Sequence, residues 1–166
     1  MKKLLHFTFF LLFSAALIAQ NTPPIVPTSR PIPSGPEVLG IFAGRCPCQQ
    51  IAALLKATVS SECFKSKWEI ILFHDPKTQQ PTTFQLIGTA FRKKDQNGVW
   101  KISKGIKNDP EATVYELEMD NATLRLLKAD DNLLFMLNHD RSLLVGNELF
   151  SYTLNRIEKK PLSASK

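Results

Sequence analysis

Hydrophobic and polar positions alternate along most of this chain after a proline-rich start. Val38 to Gly44 is a short apolar run that ends in glycine and predicts a first strand. Ile51, Leu54 and Leu55 follow at helical spacing, with a strand through the same residues as the competing reading. From Lys67 to His74 the pattern is strictly two-fold, Trp68, Ile70 and Leu72 on one face and Glu69, Ile71 and Phe73 on the other. Asp75-Pro76-Lys77-Thr78 is a turn, and Pro81 opens a strand from Thr82 to Arg92. Asp95-Gln96-Asn97-Gly98 reads as a hairpin turn leading into Val99 to Ser103. Asn108-Asp109-Pro110 breaks the pattern before a strand from Thr113 to Met119 that carries Tyr115, Leu117 and Met119 inward. Short apolar segments then recur at Leu124–Leu127, Leu133–Leu137, Leu143–Val145 and Leu149–Ile157, separated by Asp-, Asn- and Gly-rich turns.

Strands at roughly 8–12-residue spacing predict an antiparallel meander. A meander of this size has two edges to hide, and closure into a barrel removes both. The expected fold is mainly β: a small antiparallel meander β-barrel, lipocalin-like or OB-like, of about eight strands, with one short N-terminal helix plugging or flanking an end. A β-sandwich is the alternative.

The ends of the chain follow other rules. Residues 1–19 combine Lys2 and Lys3, an apolar run from Leu4 to Ile18 and small residues at Ala16 and Ala19, the layout of a cleaved secretory signal peptide. The run is shorter than the about 20 apolar residues a membrane span needs, so no stable membrane anchor is expected after cleavage. Residues 20–36 hold six of the chain's 11 prolines and read as an extended leader. The domain is expected over 37–158 and a basic tail over 159–166.

Composition changes this picture little. The 166 residues carry 21 Lys+Arg and 15 Asp+Glu, a formal +6, and are 43% hydrophobic. The predicted signal takes away two lysines and no acid, which lowers the balance to +4. Basic residues are scattered as Lys65/Lys67, Arg92/Lys93/Lys94 and Lys159/Lys160, without an aromatic series for base stacking. Nucleic acid is therefore not an expected partner. The seven glycines sit at scattered turns and form no phosphate loop. Asn121-Ala122-Thr123 is a glycosylation sequon.

Cysteine is the sharper clue. Export would place Cys46, Cys48 and Cys63 in an oxidising compartment, and three thiols allow one internal disulfide. Cys46 and Cys48 are separated only by Pro47, which strains a ring between them. Cys48 with Cys63 closes a loop of about 15 residues, worth about 3 kcal/mol in the chain-entropy model. The expected disulfide is Cys48–Cys63, with Cys46 free.

Candidate chemistry is confined to Cys46-Pro47-Cys48. A thiol near a helix N-terminus and Arg45 would have a lowered pKa and could exchange disulfides. Thiolates are also soft ligands for copper(I), with Met119, Met136, His74 and His139 as further donors. His74 and His139 otherwise read as turn or surface histidines. Glu116 and Glu118 read as a solvated strand face, and Asp130-Asp131-Asn132 as a turn. No residue reads as catalytic.

The run Phe42-Ala43-Gly44-Arg45-Cys46-Pro47-Cys48-Gln49-Gln50-Ile51 resembles the N-terminal domain of the copper-resistance and envelope-stress lipoprotein family NlpE. Gly98-x-Trp100, the Leu134-to-Leu144 stretch and Tyr152-Thr153-Leu154-Asn155-Arg156 are similar as well, so that the likeness extends over most of Val38 to Ile157. It implies a lipocalin-like barrel in the bacterial envelope, periplasmic or secreted. The implied role is non-enzymatic sensing of copper or surface stress, with a metal ion or an envelope protein as partner. Two departures stand out. The family's Pro-Cys-x-x-Cys lacks its second cysteine here, because Gln49-Gln50-Ile51 follows Cys48, and the lipid-attachment cysteine is missing. A metal site carries over to Cys48 alone, with Cys46 as a substitute. A carrier of a small apolar ligand and a thiol-disulfide redox protein are the alternatives.

Overall fold

A computed structural model describes residues 33–88, 96–120 and 122–157. The predicted signal, most of the leader, the last residues of the Thr82–Arg92 strand, Asn121 of the sequon and the basic tail lie outside these residues.

Eight antiparallel strands close into a barrel in which each strand pairs with its sequence neighbours and the last with the first. They are β1 Val38–Pro47, β2 Lys65–His74, β3 Pro81–Gly88, β4 Gln96–Ile106, β5 Asp109–Glu118, β6 Thr123–Lys128, β7 Leu133–Leu137 and β8 Thr153–Arg156. Among the described residues one helix, α1 (Cys48–Leu54), continues directly from β1. Closure sets the barrel apart from the sandwich alternative, since no edge is left exposed.

Alternation explains why the strands turn the faces they do. Phe42 and Cys46 on β1, Trp68, Ile70 and Leu72 on β2, and Phe84 and Leu86 on β3 all point into one buried cluster. Leu117, Leu124, Leu126, Leu134, Met136 and Leu154 complete it from the later strands. These inward side chains fill the interior. The Trp100 and Tyr115 rings meet edge-on at 4.9 Å, and the Trp100 indole N–H donates to the Phe73 carbonyl at 2.7 Å.

The β1–β8 seam is short, with Phe42 opposite Arg156 and Ala43 opposite Asn155. Arg156 reinforces it. Its guanidinium lies 4.9 Å from the Phe42 ring centroid and donates to the carbonyls of Leu39 and Asp131. Gly44 lets β8 cross closely, because a Cβ there would collide with the Thr153 carbonyl oxygen.

Several expectations change. Asn97-Gly98 is not a turn: both residues pair within β4, opposite Gln85 and Phe84. A side chain at Gly98 would strike the Glu118 carbonyl and the Phe84 ring, so its glycine serves close packing. Leu143–Val145 forms no strand beyond a single bridge from Leu143 to Leu137, and Leu149–Ile157 shrinks to the four residues of β8. Pro47 ends β1 and occupies the N-cap position of α1.

Candidate functional site

The cysteines gather where β1 runs into α1. Cys46 follows Phe42 on the inward face of β1 and sits opposite Ser66 of β2. The chain then turns at Pro47, and Cys48 opens α1 with its side chain buried. α1 ends after two turns because Lys56 takes a left-handed conformation, φ 52°. The N–H of Ala57 donates to Ala52 O and that of Lys56 to Ala53 O, a Schellman closure built on lysine where glycine is usual.

Cys48 and Cys63 form a disulfide with Cα atoms 5.7 Å apart. It ties the first residue of the helix to the segment that enters β2. Gln49 repeats the tie without a covalent bond: its side-chain amide donates to the carbonyls of Ser60, Ser61 and Cys63 at 2.9–3.1 Å. A disulfide forms and persists where the surroundings are oxidising, which points to a non-cytoplasmic compartment. Among the described residues no helix is long and apolar enough to cross a membrane.

Cys46 is the free thiol, and it is buried. Burial pushes its pKa up to about 12, and a hydrogen bond from Trp68 offsets this only in part. At neutral pH the group is a neutral thiol, a weak nucleophile and a poor metal ligand. The helix start does not lower its pKa as expected, because desolvation outweighs any help from the amides of so short a helix. Tyr152 packs beside it. The phenol donates to Gln50 Oε1 at 2.9 Å, and burial, with Cys46 as a second cause, pushes its pKa up to about 12. Directly across from Cys46, the Ser66 hydroxyl is fully buried and finds no hydrogen-bond partner.

The further donors considered for copper do not converge here. His74 lies eight residues along β2 from Ser66, roughly 26 Å at strand rise. It is buried rather than on the surface, with Nε2 2.9 Å from the Pro36 carbonyl. His139 is exposed on a turn, Met119 lies at the core's margin, and only Met136 shares the cluster with Cys46. Among the described residues no group of three or more His, Cys, Asp and Glu side chains could hold a metal ion. With Cys48 oxidised and Cys46 sealed, this end does not fit copper in its disulfide form.

Glu116 overturns the expectation of a solvated face. It is buried on the outside of the barrel, with Arg141 Nη2 at 2.6 Å, Arg125 Nε at 3.4 Å and Lys101 Nζ at 3.7 Å. Arg141 comes from the β7–β8 connection and also donates to the carbonyls of Lys104 and Gly105. Glu118 behaves as alternation predicts and pairs with Lys101. The sequence reading missed Gln49, Gln50 and Tyr152. The alternation of β1, which sets Cys46 on the same face as Phe42, was the available signal for its burial.

Comparison with protein-family models, with curated proteins and with solved structures gives no match to this chain.

Proposed function

We propose that this chain is an exported, non-enzymatic binding or sensing module of the bacterial envelope, of the NlpE-like kind its motifs resemble. The observation that carries the reading is the filled interior of a closed, disulfide-stapled barrel. A barrel packed with Phe42, Phe84, Leu117, Leu126 and Met136 acts through its outer surface and loops. The same packing gives no support to a carrier of a small apolar ligand. The neutral, enclosed thiol of Cys46 gives none to thiol-disulfide catalysis.

Copper belongs to this reading only in the reduced state, because Cys48 is otherwise bonded to Cys63. Titration with copper(I) against a competing chelator tests it. The oxidised protein should leave the metal with the chelator, and the reduced protein should withdraw it through Cys46 and Cys48. Equal affinity in a Cys46→Ser/Cys48→Ser variant would remove copper from the proposal. Insulin-reductase activity in the purified protein would overturn the non-enzymatic reading altogether.

A further inference from the structure

The barrel end that carries α1 also carries two loops whose apolar side chains project into solvent. Phe64, just before β2, is 65% exposed; Val145 and Leu149, in the β7–β8 connection, are 80% and 70% exposed. The loops are neighbours, since the Phe64 and Phe150 ring centroids lie 6.2 Å apart. Both are held firmly. Cys63 is fixed by its disulfide, and Asn147 Oδ1 accepts the N–H groups of Leu149 and Phe150 while its own N–H donates to Phe150 O. The exposed side chains are therefore presented by ordered backbone.

Positive charge adjoins them. Lys65 Nζ lies 5.2 Å from the Phe64 ring centroid and 6.0 Å from that of Phe150. Arg45 and Lys67 face each other across β1 and β2, next along the same outer face. Among the described residues, Glu62, Asp140 and Glu148 lie in the two loops and Glu69 follows Lys67 on the outer face of β2, against Arg45, Lys56, Lys65 and Lys67. Asp140 is already paired with Lys107.

We infer that this end of the barrel docks peripherally on an anionic lipid surface. Phe64, Val145 and Leu149 enter the boundary between headgroups and acyl chains, and Arg45, Lys65 and Lys67 meet the lipid phosphates. Apolar residues backed by basic ones are the combination such a boundary takes up. Lipid fits better than a protein partner because the three side chains project as separate points from two loops. A flat protein interface would need a matching pocket for each, whereas a bilayer yields to them. The contact is reversible and requires no covalent anchor.

Co-sedimentation with vesicles tests this, using the protein as processed and exported by a producing bacterium. Vesicles of phosphatidylglycerol with phosphatidylcholine should pellet the protein, and pure phosphatidylcholine should bind it at least tenfold more weakly. Raising salt to about 0.5 M should weaken the anionic binding, because screening acts on its charged part. Phe64→Ser/Leu149→Ser and, separately, Lys65→Glu should each lower affinity about tenfold or more with an unchanged unfolding midpoint. Val99→Ser, on an exposed apolar residue of β4, should leave it unaltered. Absence of binding to the anionic vesicles, undiminished binding by the Phe64/Leu149 variant, or an equal loss from Val99→Ser would overturn the inference. Sedimentation without lipid supplies the remaining outcome: a dimer dispersed by Phe64→Ser/Leu149→Ser would assign the face to a second copy of the chain and overturn the lipid assignment.

Discussion

Arg141 reaches from the β7–β8 connection to Glu116 near the end of β5, with Nη2 2.6 Å from the carboxylate. The backbone of Arg141 is left-handed, φ 62°, and its carbonyl accepts the Lys107 N–H. One residue thus clamps the β4–β5 hairpin to a connection that forms almost no strand. Arg141→Ala should destabilise the fold by about 2 kcal/mol, because it leaves a buried carboxylate with the Ser103 hydroxyl at 3.2 Å and the longer contacts to Arg125 and Lys101. Urea unfolding of Arg141→Ala, Glu116→Gln and the double variant should give a coupling of about 1 kcal/mol or more. Additive losses would show that the pair is not a clamp.

Removing the disulfide should cost about 3 kcal/mol, the chain-entropy value for a loop of this length. A Cys48→Ala/Cys63→Ala variant measured by urea unfolding checks this. The Gln49 amide would still hold Ser60 and Cys63, so the far-ultraviolet β signal should survive.

Cys46 should resist alkylation. Iodoacetamide at pH 8 should leave native protein unmodified and label one cysteine in guanidinium without reductant. Cys48 and Cys63 should react only after reduction. Rapid labelling of native protein at Cys46 would contradict its burial. The raised pKa also has a stability consequence. The thiol's contribution is whole below the unfolded-state value of about 8.5 and is lost as pH rises toward about 12. Cys46→Ala should therefore flatten part of the alkaline decline in the urea midpoint.

Acid should act through turn aspartates. The Asp75 carboxylate accepts the backbone N–H groups of Thr78 and Lys77, which hold its pKa below the ordinary value. Its contribution is complete above the unfolded-state value of about 3.9 and disappears as pH falls through the lower folded value. Asp140, whose carboxylate is held down by the Ser142 hydroxyl and N–H, behaves alike. Asp75→Asn should give a shallower fall in unfolding midpoint between pH 5 and pH 2 than the wild type, followed by circular dichroism.

Gly44→Ala should loosen the seam between β1 and β8 and destabilise by about 1–3 kcal/mol, the range for overpacking. Gly98→Ala should do the same where β4 passes Glu118. Thermal unfolding of both reports the result.

What could be read from the sequence was whatever depends on neighbours along the chain. Two-fold alternation in Trp68-Glu69-Ile70-Ile71-Leu72 gave the inward face of β2, and the run of short strands with turn residues between them gave the meander. The Cys48–Cys63 pair followed from spacing. Long-range approach was invisible. Glu116 alternates outward as expected, but Arg141 arrives from 25 residues away to cover it. Asn97-Gly98 has turn chemistry, yet the space its glycine vacates is taken by Phe84 and the Glu118 carbonyl. The apolar Leu143–Val145 segment resembles a strand, but only Leu143 finds a bridging partner.

The short seam has a consequence for the order in which this domain can assemble. Phe42 must find Arg156 at a sequence separation of 114, whereas Cys48 and Cys63 are 15 apart. Contacts between distant residues are slow to form because the entropy of closing so long a loop precedes any gain. During synthesis from the N-terminus, the local disulfide and the β2-to-β7 hairpins can all form while the first strand still waits for the last. Four residues near the chain's end complete the cylinder. A ribosome or pore that withholds them therefore keeps β1 an open edge.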